Sequence, residues 1–183
     1  MQLDDHTRPT QAPNRNPPPA GARPDYSLTY LLLATVGFFL AWIPVLPVRT
    51  FDPDEFEHSH AAWCVWKGML PYRDFFEHHT PWYYYTLRPF FHWFSVDVSF
   101  ESAQSFLIFG RVLSLLLTVF SVFVVFLIGR SLFDRKVGLL AALFLVSQPV
   151  FFEKMIEIRP DVLAIPLFLG GLFFLLRGLS GCS

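Results

Sequence analysis

Apolar residues gather into four runs, separated by stretches where charged and aromatic residues mix. The first, YSLTYLLLATVGFFLAWIPVLPV (26 to 48), ends in Trp42, Pro44 and Pro47, which suit a membrane interface and a helix stop. The second, SFLIFGRVLSLLLTVFSVFVVFLIG (105 to 129), also exceeds the roughly 20 residues a helix needs to cross a bilayer. VGLLAALFLVSQPVFF (137 to 152) and VLAIPLFLGGLFFLL (162 to 176) are shorter and require flanking residues or shelter from other helices. The pattern predicts an all-α integral membrane protein with about four transmembrane helices and a long first loop, 49 to 104, containing interfacial helices.

The distribution of Lys and Arg orients these spans. Arg130, Arg135 and Lys136 crowd the turn after the second span, which places that turn in the cytoplasm. The N-terminal tail then lies inside as well. The 49 to 104 loop, with four Lys or Arg against eight acids, lies outside, as does EKMIEIRPD (153 to 161). Two acid-bearing loops therefore face one compartment and can meet. Residues 1 to 25 are polar and proline-rich, and are expected to form a disordered cytoplasmic tail. The net charge of −1 and the lack of a basic run exclude nucleic acid as a partner. Two cysteines, Cys64 and Cys182, are expected on opposite sides of the membrane and unbridged.

Candidate chemistry starts where the first span ends, at FDPDEFEHSHAAW (51 to 63). Asp52 suits an N-cap, Pro53 the first helical position, and Glu55 the third, closing a capping box. The helix should stop near Gly68 and seat Phe56, Trp63 and Trp66 in the membrane interface. About twenty residues on, Arg73, Asp74, Glu77, His78 and His79 lie among aromatics. Ionisable groups at a membrane face are costly and often functional. Carboxylates beside aromatic planes suggest an enzyme for a lipid-attached or polyol substrate. The Tyr83-Tyr84-Tyr85 run is expected to be an interface belt.

An Asp-Glu pair after a first span, followed by GMLPYRDFFEHHTPWYYY (68 to 85) and EIRPDVLAIPLF (157 to 168), resembles the GT-C membrane glycosyltransferases. The closest group is glycosyltransferase family 39, which includes protein mannosyltransferase-like and aminoarabinose transferase-like enzymes. Arg111 and the basic turn at 130 to 136 also fit, and the resemblance spans about residues 26 to 178. It implies transfer of a hexose or pentose from a polyprenyl-phosphate carrier to an extracytoplasmic lipid, glycan or protein acceptor, with inversion, in the inner membrane.

By the same resemblance Asp54 is the catalytic acid, orienting the acceptor hydroxyl as its base. A helix N-terminus stabilises a carboxylate and so weakens it as a base, a tension that orientation and charge stabilisation would relieve. Glu55, Arg73, Glu77, His79, Arg159 and Asp161 are the candidate substrate-binding residues. Glu55 is equally suited to capping, and Arg159 to pairing with Glu157 or Asp161. Histidines stand here where the aminoarabinose transferases carry a phosphate-contacting lysine. No cofactor is required, and the one candidate is a divalent cation at Glu77 with His78 or His79. Membrane lipid and further membrane subunits complete the expected partners. Family members carry more spans, so this chain is expected to be an N-terminal portion, inactive alone or dependent on a partner. Two other functions compete: a noncatalytic glycan- or partner-binding module, and a metal-dependent membrane hydrolase.

Overall fold

The computed structural model describes residues 26–181, and the expectations for residues 1 to 25 and for Cys182 fall outside it. Seven α-helices follow in order: α1 Ser27–Trp42, α2 Pro53–Trp66, α3 Trp82–Phe94, α4 Phe100–Leu132, α5 Arg135–Val146, α6 Pro149–Met155 and α7 Asp161–Gly181. Among the described residues there are no strands, only an isolated bridge between Pro71 and Phe75. The all-α class holds.

Two helices are long and apolar enough to cross a membrane, α4 and residues 161–179 of α7, with α5 and α6 a third crossing if counted as one bent unit. At 1.5 Å per residue the 33 residues of α4 reach about 50 Å. That exceeds a hydrocarbon core of about 30 Å, so part of α4 extends beyond it.

Two expected spans differ from a plain crossing. α1 has 16 residues, about 24 Å, before Pro44 tightens the chain into a 3-10 turn at Ile43–Val45. The third run is not one straight helix: α5 and α6 meet at a 70° bend. Pro149 causes it. Its ring disfavours the α region for the preceding residue, and Gln148 is extended (φ −80°, ψ 109°) while Pro149 opens α6.

α4 is the organising element. Its C-terminal half pairs with α5, where Gly129 and Gly138 let the backbones touch; a Cβ on Gly138 would lie 2.5 Å from the Phe126 carbonyl oxygen. Its N-terminal half meets α3 through Phe91–Phe106, Phe90–Phe109 and Phe94–Phe109, with ring centroids 4.1 to 5.1 Å apart. α2 packs on α3 through Ala61, Ala62 and Val65 against Tyr83, Tyr84, Leu87 and Phe91. Tyr83 and Tyr84 are therefore core residues rather than an interface belt, because the i, i+4, i+8 stripe of Tyr83, Leu87 and Phe91 faces α2 and α4; only Tyr85 is exposed. A second core joins Phe39, Leu46, Leu115, Val122, Ala142, Val146 and Ile156.

Candidate functional site

The capping box at the start of α2 forms as its sequence predicts. Asp52 accepts from the Asp54 N–H at 3.0 Å, and Glu55 accepts from the Asp52 N–H at 3.0 Å. α2 ends in a Schellman motif: Met69 N–H donates to the Cys64 carbonyl and Gly68 N–H to the Val65 carbonyl, with Gly68 at φ +89°. A side chain at Gly68 would be strained, which explains why glycine ends the helix here.

Glu55 does more than cap. Arg111, from the middle of the longest helix, donates from Nε to Glu55 Oε1 (2.9 Å) and from one terminal nitrogen to Oε2 (2.7 Å). Its terminal nitrogens also donate to the carbonyls of Leu46 (2.6 Å), Arg49 (2.8 Å) and Thr50 (2.9 Å). These contacts match the five N–H donors of a guanidinium, and the Phe51 ring lies 3.8 Å from its centre. Both side chains are shut off from solvent, at 1% and 0% exposure. A buried bidentate pair with every donor used fixes the α1–α2 connection and α2 on α4 in one arrangement.

The two acid-bearing loops meet. Lys154 donates to Asp52 at 3.1 Å, Ile158 N–H lies 3.4 Å from Glu55 Oε1, and Arg159 donates to Asp54 Oδ2. Beneath them Glu157 is fully buried, paired with Arg49 at 2.7 Å and Lys154 at 3.2 Å. Arg159 approaches Glu157 (3.5 Å) and Asp161 (3.7 Å) more loosely than Asp54, so its main partner is the acid across the gap. Asp52 is held below its ordinary range by the Asp54 N–H and then by Lys154. Burial pushes the Arg159 pKa down, but Asp54, Glu157 and Asp161 outweigh it and raise it overall, so the guanidinium stays charged.

The geometry thus has two layers. Glu55, Arg111 and Glu157 form a dry layer, and Asp54 (44% exposed), Arg159 (20%) and Asp161 (57%) form a rim open to solvent. Arg73 stands apart, turned outward against Asp74, whose carboxyl it helps hold at about 2.

The remaining candidates gather in the loop before α3. Glu77 is buried at 4% and accepts from the His78 and His79 N–H groups at 3.0 and 2.9 Å. His79 Nδ1 is 3.0 Å from the same oxygen. Burial raises the Glu77 pKa, yet these contacts and Tyr84 outweigh it and lower the net value. His58 of α2 also belongs here. It is buried, its Nδ1 is 3.2 Å from the Tyr84 hydroxyl, and its ring meets His79 edge-on at 4.8 Å. Burial, and then the neighbouring His79, lower its pKa. One signal could have found it: His58 is four residues after Asp54, on the same face of α2. His60 points elsewhere, towards Cys64 Sγ at 3.6 Å.

The profile of the dolichyl-phosphate-mannose-protein mannosyltransferase family matches residues 78–181, more than half of the chain. The chain belongs to this family. It is a membrane glycosyltransferase of the GT-C type, and its apolar helices accord with that placement. No curated protein and no solved structure matches the chain. The family match includes Arg111, Arg159 and Asp161 and begins after α2, the helix that carries Asp54.

Proposed function

We propose that this glycosyltransferase moves a hexose or pentose from a polyprenyl-phosphate carrier to an extracytoplasmic acceptor, with Asp54 at the reaction centre. The observation that carries the reading is the half-open Asp54–Arg159 pair, held at a helix start by a fully satisfied buried ion pair. Asp54 accepts the proton of the acceptor hydroxyl as its oxygen attacks the anomeric carbon from the face opposite the phosphate. The anomeric C–O bond breaks, its electron pair leaves with the polyprenyl phosphate, and the configuration inverts. Arg159, beside Asp54, is placed to exchange that carboxylate for the departing phosphate. Asp161 flanks Arg159 on the open side.

Glu55, shut off from solvent, acts here by holding α2, a positioning role and not a substrate contact. The loops are extracytoplasmic in this reading, and the membrane is the inner one. The test is donor class: membranes containing the chain, with any subunits it requires, are given a radiolabelled polyprenyl-phosphate sugar or the matching nucleotide sugar. Transfer from the lipid-linked donor alone, giving the inverted anomer, is expected. Equal transfer from the nucleotide sugar, or a retained anomer, contradicts the proposal.

A further inference from the structure

The Glu77 loop brings three metal-capable side chains to one point, and α2 sets a fourth, Glu57, beside one of them. One donor atom from each of Glu77, His78 and His79 lies within 4.8 Å of the others. Glu57, from a different element, α2, lies beside the cluster with its Oε1 3.8 Å from His78 Nδ1. The other separations are 3.8 Å from His78 Nδ1 to Glu77 Oε1 and 3.0 Å from His79 Nδ1 to that oxygen.

Ordinary ion pairing explains this convergence poorly. A separation of 3.8 Å is too long for a hydrogen bond, and His78 and Glu57 are 56% and 54% exposed, where pairing contributes little. It does suit ligands of one cation: tetrahedral bonds of about 2.0–2.1 Å place donor atoms roughly 3.4 Å apart. The three separations above, 3.0 Å and twice 3.8 Å, bracket that figure, and the exposed His78 and Glu57 side chains are free to rotate towards a common ion. The backbone has already arranged the rest, since the His78 and His79 N–H groups fold around the Glu77 carboxylate and set the two rings 3.9 Å apart.

We propose that Glu57, Glu77, His78 and His79 form a Zn2+ site that clamps the 71–81 loop to α2, one helical turn from Asp54. Two imidazole nitrogens and two carboxylate oxygens match the ligand preference of zinc, and two carboxylates neutralise its charge. A proton on His79 Nδ1 must leave that nitrogen before it can ligate the ion. The site is independent of the transferase reading, and it is read without any sugar donor present.

The full chain, purified in detergent and stripped with a chelator, is titrated with Zn2+ against a chromophoric competitor and with Co2+ by visible absorption. One equivalent of Zn2+ and the intense visible bands of four-coordinate Co2+ are expected. His78→Ala and Glu57→Gln, both at exposed side chains and so compatible with folding, should each weaken binding roughly tenfold or more. His60→Ala, beside Cys64 on another face, should leave it unchanged. Zn2+ should also slow tryptic cleavage after the exposed Arg73, a sign that the loop is clamped. Absence of bound zinc, a six-coordinate Co2+ spectrum, or wild-type affinity in both His78→Ala and Glu57→Gln would overturn the proposal.

Discussion

Asp54 and Glu55 are neighbours in sequence and opposites in environment. Glu55 faces inward, sealed against Arg111 with both oxygens engaged. Asp54 faces outward, its carboxylate shared with Arg159 at a rim that a substrate can reach. Helix geometry separates them: consecutive residues on α2 point about 100° apart, so one acid can anchor the helix while the next stays available. The dry layer should govern stability, and the rim should govern chemistry.

The largest effect should come from breaking the dry layer on one side. Arg111→Met leaves Glu55 buried without its counter-charge and strips three carbonyls of their donor. Such a change should cost about 3–5 kcal/mol. Loss of the monodisperse species on size exclusion, or a large fall in melting temperature, measures it. Removing both charges in Arg111→Met with Glu55→Met should recover much of the loss, since the stranded carboxylate is then gone.

A smaller loss is expected far from either layer. Gly138→Ala forces a methyl group within 2.7 Å of the Arg130 backbone nitrogen and 2.5 Å of the Phe126 oxygen, where neither can rotate away. The α4–α5 pair must separate, at a cost of about 1–3 kcal/mol, readable as a lower melting temperature. If sugar transfer fell while melting was unchanged, the division between layer and rim would need redrawing.

Smaller again is the cap. Asp52→Ala removes the acceptor for the Asp54 N–H and the Lys154 contact, and should cost about 1 kcal/mol. Asp52 titrates lower in the folded chain than its ordinary 3.8. The unfolded chain therefore binds the proton first as pH falls. The stabilisation is fully present above pH 3.8 and is lost as pH drops through the lowered folded value. Acid melting of wild type and Asp52→Ala should accordingly converge below that window.

The local parts of this architecture were legible in the sequence. Asp52, Pro53 and Glu55 announce a helix start because capping uses residues three apart, and Gly68 announces its end. The 49 to 104 and 153 to 161 loops were expected to be able to meet, and Lys154–Asp52 and Arg159–Asp54 join them. Long-range partner choice was not legible. Nothing near Arg111 indicates that its guanidinium takes Glu55 and three carbonyls from residues 46 to 50. Tyr83 and Tyr84 carry the composition of an interface belt, yet α2 covers them. Arg159 had plausible acids on either side in sequence and pairs chiefly with Asp54, 105 residues away. The bend before Pro149 is written in the proline itself, inside an apolar run that hydropathy alone reads as continuous.

Asp54→Asn and Glu55→Gln, compared in one membrane preparation for both sugar transfer and melting temperature, test the central division most directly. Asp54→Asn should abolish transfer while shifting stability by less than about 1 kcal/mol, the scale of an exposed pair. Glu55→Gln should lower the melting temperature strongly, by weakening the buried contact with Arg111. Wild-type transfer by Asp54→Asn, or wild-type melting by Glu55→Gln, would contradict the account.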